Sequence, residues 1–172
     1  NNGKFYPFPE VEMLPAPHTP GGPPIWCGGR KEPALRRAGR MADGWLSYVV
    51  TPDQYRAALE TIAGAAEEAD RDLSKFGTGH LLFVRLAKDY ESALSYATEK
   101  LSARYAMDFS KPAKRYCALG TAEQVAESIR EFHAAGVRHL VVDFIAERSD
   151  QLEQIDYFGE AVMPLLADLI TR

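Results

Sequence analysis

The chain has 172 residues, 46% hydrophobic and 26% charged, with a net charge of -4. That length fits one domain with a buried core, and the acidic balance argues against a nucleic-acid binder, which carries a basic surplus. Cys27 and Cys117 stand far apart with no Cys/His ligand spacing, so neither a zinc site nor a secreted disulfide framework is expected. No apolar run nears the ~18 residues of a membrane span, and no leader pattern opens the chain, so a cytoplasmic location is expected. Asn1 in place of Met reads as a truncated or processed start.

Residues 1–24 are rich in Pro and Gly and are read as a segment apart from residues 25–172. Within it, Phe5-Tyr6-Pro7-Phe8 and Val11-Glu12-Met13-Leu14 are expected to form a short hairpin of edge strands, because proline lacks the N–H that a central strand needs. Pro15 to Pro24 is expected to be extended linker. Ile25 to Gly28 then reads as a short buried strand. Glu32 to Met41 reads as a helix, with Ala34, Leu35, Ala38 and Met41 on one face. Asp43-Gly44 is a turn signal before a strand from Trp45 to Val50. Thr51, Pro52 and Gln54 open a long helix as cap, first position and capping box. His80 to Ala87 is expected to be a strand, Tyr90 to about Met107 a helix, and Asp108 to Leu119 a loop broken by Pro112. Thr121 and Gln124 form a second capping box, and that helix stops at Gly136. Arg138 to Phe144 is expected to be the fourth strand, and the last helix runs from about Asp150 to Ile170.

Alternating strands and helices predict a parallel sheet with right-handed crossovers. Two closures satisfy the pattern, an open doubly wound sheet or a (β/α) barrel. Four strands are half of an eight-stranded barrel.

The run PPIWCGGRKEPALRRAGRMADGW, Pro23 to Trp45, resembles the signature of the luciferase-like monooxygenase superfamily: apolar strand, small-residue turn, Ala/Arg-rich helix, then a D-G-[WF] turn. GKFYPFPEVEMLPAP resembles the segment that precedes that strand in the family. GTAEQVAESIREFHAAGVRHLVVDF resembles its C-terminal helix and last barrel strand. The resemblance implies a (β/α)8 barrel of the TIM type, of which this chain holds the second half. It implies FMN, or alternatively the deazaflavin F420, as cofactor. The activity it implies is oxygenation by reduced flavin, or hydride exchange through F420, on an organic substrate. Strands one to four of the barrel, which carry much of the substrate pocket, would lie outside the chain.

The candidate site is Gly28, Gly29, Arg30 and Lys31. Glycines at a strand end let backbone N–H groups approach a ligand, and the N-terminus of the next helix favours an anion. From the residues alone, the same turn is also read as a tight βα connection with solvated charges. The resemblance implies that it lies against the cofactor phosphate. Glu32, in the first helical turn, departs from an ideal anion site. Trp26 and Trp45 are able to stack on an isoalloxazine but are read first as core aromatics, and Cys27 as a small buried hydrophobe. No histidine is assigned a catalytic role: His18 is expected to be exposed, His80 and His139 structural, and His133 near a helix end. Arg85 is an odd charge within a strand, directed to the barrel mouth or a subunit interface. Asp143, near the C-terminal end of the last strand, stands where a barrel site could use it, and is read first as a capping or turn carboxylate. The expected partners are the flavin or deazaflavin and a small organic substrate, with no nucleic acid and no membrane. An alternative is a half-barrel without turnover that self-associates through its open strand edges, and a homo-oligomer is expected.

Overall fold

The computed structural model describes residues 2–12 and 14–169. From Trp26 onward, strands and helices alternate: β1 (Trp26–Cys27), α1 (Glu32–Met41), β2 (Gly44–Tyr48), α2 (Pro52–Glu67), β3 (Gly77–Leu86) and α3 (Tyr90–Tyr105). There follow α4 (Ser110–Tyr116), β4 (Cys117–Gly120), α5 (Ala122–Ala134), β5 (His139–Phe144) and α6 (Gln151–Tyr157). All strand pairs are parallel. Both expected capping boxes form: Thr51 and Thr121 accept the N–H of Gln54 and Gln124, whose side chains accept the cap N–H in return.

The strand order follows from which residues of β3 are shared. β2 pairs with Gly77–Leu81, β5 with Gly79–Val84 and β4 with Phe83–Leu86. A strand has two edges, and β5 overlaps both of the others. β2 and β4 therefore lie in line on one edge, and β5 lies on the opposite edge. The continuous arc is β1-β2-β3-β5, with β4 filling the place where β2 has ended.

Paired residues of a parallel sheet share a face, so the register sorts the side chains. Trp45, Ser47, His80, Leu82, Val84, Leu140 and Val142 face α1, α2 and α5. There the apolar ones join Leu35, Tyr55, Ile62, Val125 and Phe132 in the larger apolar cluster. Gly39 sits at the crossing of α1 and α2, where a side chain would overlap the carbonyl of Ile62. The other face carries Trp26, Leu46, Tyr48, Leu81, Phe83, Arg85, His139, Val141 and Asp143. Only its C-terminal end is covered: Phe83 and Leu119 pack with Ala93, Leu94, Ala97 and Leu101 of α3, and with Phe109 and Ala113.

Several expectations are corrected. The expected loop from Asp108 to Leu119 holds α4 and β4, so the described residues form five strands rather than four. Pro112 lies in the first turn of α4, where its missing N–H costs nothing. β3 begins at Gly77, three residues before His80, because Gly77 and Gly79 form a bed for the Trp26 indole rather than a turn. A Cβ at Gly79 would stand 2.7 Å from that ring. The described residues of 2–24 form bends and turns and no strand, and Met13 of the expected hairpin lies outside them. The last helix is not continuous. After α6 come a π-helical turn (Phe158–Val162) and a 3-10 turn (Met163–Leu166), with Pro164 in the latter; Ile170 lies outside the described residues.

Candidate cofactor site

Parallel strands of this kind present their C-terminal ends, and the loops that follow them, on one side of the sheet. The turns after β1 and β2 meet there. Gly28, Gly29, Arg30 and Lys31 form the first, and Val49 and Val50 the second. Gly29 has φ +97, which glycine adopts freely, and a Cβ there would stand 2.8 Å from the Ala34 methyl group. Its carbonyl accepts a hydrogen bond from the Trp45 indole N–H at 2.7 Å. Gly28 is not under the same constraint: a Cβ would make ordinary contact, 3.8 Å from the Leu46 carbonyl.

The Arg30 guanidinium donates to the Val49 carbonyl at 3.0 Å and stands 5.7 Å from the centre of the Tyr48 ring. Lys31 is the N-cap of α1; its side chain makes no cap bond and is in none of the ion pairs among the described residues. The site brings all four expected residues to one place. Beside them lies a cleft of about 460 Å³ lined by Arg30, Lys31, Val49, Gln54, Thr61 and Tyr116, among others.

The donor set suits a phosphate ester, with one difference from the expectation. Pro33 has no N–H, and the N–H groups of Ala34 and Leu35 both return to the Lys31 carbonyl, at 2.9 and 3.1 Å. The helix N-terminus therefore offers less than the sequence suggests. The N–H groups of Gly29, Arg30 and Lys31 make no turn or loop hydrogen bond among the described residues, and two cations flank them. A cationic pair around free backbone donors is the chemistry that binds phosphate. The Glu32 carboxylate is exposed at the same helix start.

A second polar cluster lies at the C-terminal end of the open face, and the sequence signalled two members of it, Arg85 and Asp143. Arg85 donates to Asp150 at 2.7 Å and to the Ile145 carbonyl at 3.1 Å, and lies 3.8 Å from the centre of the Tyr96 ring. Arg85 lies near the C-terminal end of β3. Its hydrogen bond holds the Asp150 carboxyl below the usual range. Gln154 of α6 grips both the N–H and the carbonyl of Leu86. Asp143 is not a turn carboxylate. It lies within β5, and Arg104 of α3 clasps both its oxygens, at 3.2 and 3.0 Å. Burial, with Asp143 nearby, pushes the Cys117 thiol up to about 12, which keeps it protonated and unreactive.

None of the remaining candidates lines the cleft. Trp45 is fully buried on the helix face, as expected of a core aromatic. Trp26 lies over Gly44, Gly77 and Gly79 at the N-terminal end of the sheet, edge-on to His139 at 5.6 Å. His80 is buried, shares a 2.7 Å hydrogen bond with Ser47 and stacks on Phe132. Burial lowers its pKa to about 4, so it stays neutral. His18 is exposed, and His133 is half-buried in the last turn of α5. Among the described residues no His/Cys/Asp/Glu group is arranged to hold a metal ion, and no helix is long and apolar enough to cross a membrane.

Comparison with known proteins agrees with this architecture. The chain superimposes on an F420-dependent secondary alcohol dehydrogenase with a TM-score of 0.79 at 17% identity, over 95% of this chain and 54% of that one. A monooxygenase from Streptomyces bottropensis gives 0.68 at 19% identity, over 94% and 54%. These likenesses show the fold, the (β/α) barrel type of those enzymes. In sequence, a phthiodiolone/phenolphthiodiolone dimycocerosates ketoreductase of Mycobacterium tuberculosis is 33% identical over 103 residues, 58% of this chain and 27% of that protein. An uncharacterized protein of the same organism is 40% identical over 70 residues, 41% of this chain and 23% of that protein. The chain thus spans about a quarter of the length of the curated relatives it matches. The profile of the luciferase-like monooxygenases matches residues 1–139. The chain belongs to the luciferase-like monooxygenase family.

Proposed function

We propose that this chain is the C-terminal half of a flavin- or F420-dependent oxidoreductase and that its Gly28–Lys31 turn holds the cofactor phosphate. The observation that carries the reading is the pairing of Gly29, at positive φ, with Arg30 and the uncommitted Lys31, at the C-terminal ends of β1 and β2. Barrel enzymes place their sites at that end. When bound, reduced FMN would supply electrons to oxygen, or reduced F420 a hydride to an organic substrate. The chain's own part is binding and orientation. Lys31 and Arg30 neutralise the phosphate, Gly29 lets the backbone approach it, and the Arg104–Asp143 pair rims the same mouth from β5.

The test is a fluorescence titration of the chain with FMN and, separately, with F420. Saturable binding to one of them, weakened ~10-fold in Lys31→Ala as expected for one lost charge-assisted contact, supports the reading and selects the cofactor. Absence of binding to both overturns it for this chain.

A second reading, a self-associating half-barrel without turnover, is favoured by one observation. The outer edges of β1 and β5 pair with no strand among the described residues. Unpaired edges recruit partners. Sedimentation showing a dimer or larger species supports it, and a monomer overturns it.

A further inference from the structure

We infer that Trp45 and Arg30 are positioning residues that lock the two βα turns of the mouth into one rigid rim and so preset the backbone donors of the Gly28–Lys31 turn. The inference rests on the cofactor reading above and deepens it. The first turn is held from strand β2, and the second turn is held from the first. Trp45, in β2, reaches back to the Gly29 carbonyl of the first turn, and Arg30, in the first turn, reaches forward to the Val49 carbonyl of the second. The indole is wholly buried and packs against Tyr55, with ring centres 4.9 Å apart, so it has no freedom to follow a moving turn.

Both tethered residues have left-handed backbones. Gly29 has φ +97, and Val49 has φ +54. The second is costly for a β-branched side chain and persists only where the surroundings over-determine it. The Arg30 bond to the Val49 carbonyl is one such constraint, and the burial of Val50 directly after it is another.

The consequence concerns donor direction. In a trans peptide the carbonyl and the following N–H point opposite ways. With the Gly29 carbonyl turned into the core toward the indole, the Arg30 N–H points outward. The same reasoning sends the Val50 N–H away from Arg30. Loss of either tether frees a peptide to rotate, and the donors are then no longer preset for an anion.

The test compares FMN with riboflavin, which lacks the phosphate, in equilibrium titrations, alongside urea unfolding. The wild-type chain is expected to bind FMN at least ~10-fold more tightly than riboflavin, as one charge-assisted site implies. Trp45→Phe keeps the ring and removes the N–H. It is expected to erase most of that ratio while leaving riboflavin affinity unchanged. Arg30→Lys keeps the charge on an exposed residue and removes the planar fork, so it serves if Trp45→Phe fails to fold. A pure charge role predicts an unchanged ratio, whereas the bracing role predicts a loss of ~3-fold or more. A retained ratio in Arg30→Lys, or in a folded Trp45→Phe, overturns the inference and leaves the cofactor reading intact. Equal weakening of both ligands in step with the urea midpoint also overturns it, since that marks a core residue only. Equal affinity of the wild-type chain for FMN and riboflavin, with F420 also bound no more tightly than its phosphate-free deazaflavin, overturns both.

Discussion

On the helix-covered face of the sheet, Trp45, His80 and Val84 have no exposed surface; on the opposite face of the same strands, Trp26 is 38% exposed and Tyr48 48%. The two faces are built from alternate residues of one set of strands, so composition does not explain the difference. What differs is the cover. α1, α2 and α5 close one side along its length, while on the other side α3 and α4 reach only the C-terminal end. Parallel strands are stable when both faces are covered. The first face is a finished core able to hold the turns after β1 and β2 in place, and the second is left open at its N-terminal end.

The sharpest way to break this comparison is to truncate one tryptophan on each face. Trp45→Ala is expected to cost about 3–5 kcal/mol, the range for a buried large side chain, and Trp26→Ala about 1–2 kcal/mol because part of its ring already meets water. Urea unfolding midpoints of the two variants measure the gap; equal losses would show that the faces are equally closed.

Acid titration probes the finished face alone. The folded pKa of His80 is about 4 against an ordinary 6.5, the largest cause being burial of the ring. A depressed histidine is neutral in the fold and takes up its proton first when unfolded. Its contribution is therefore complete above about pH 6.5 and is lost as pH falls toward 4, up to about 3 kcal/mol. Unfolding measured at pH 7 and pH 4.5 checks this, and His80→Gln should flatten the slope in that window. A wild-type chain with no slope there would mean that His80 is hydrated.

At the boundary between the faces, Asp150→Ala strands a largely buried Arg85, whose Nε already has no partner. A loss of about 1–2 kcal/mol is expected, below that of a fully buried pair, since solvent still reaches both groups. The smallest effect is expected at the surface, where Glu68 accepts hydrogen bonds from Arg36 and Arg40 of α1. Glu68→Gln should leave the unfolding midpoint unchanged within error, as solvent screens exposed pairs.

Local rules carried much of the fold. Thr51-Pro52-Asp53-Gln54 and Thr121-Ala122-Glu123-Gln124 place two helix starts to the residue, because a capping box is a bond between near neighbours. The glycine turn was legible for the same reason. β4 was not: Cys117-Ala118-Leu119-Gly120 is too short to show a period, and it is a strand only because β3 extends past the end of β2. Gly77 and Gly79 look like turn residues until the Trp26 indole is laid over them. Asp150 and Tyr96 carry no local sign of meeting Arg85.

The sequence by itself determined the alternation of strands and helices, the helix caps, the Gly28–Lys31 turn and the family, all of which depend on residues a few positions apart or on their linear order. Only the tertiary structure decided which strand face is closed, how β2 and β4 share an edge, and which side chain braces which turn. Those depend on contacts between residues far apart along the chain. Trp45 and Gly29 are 16 residues apart, Arg30 and Val49 are 19 apart, and Arg85 and Asp150 are 65 apart. Periodicity carries no information over such separations, and packing of the whole chain selects the partner.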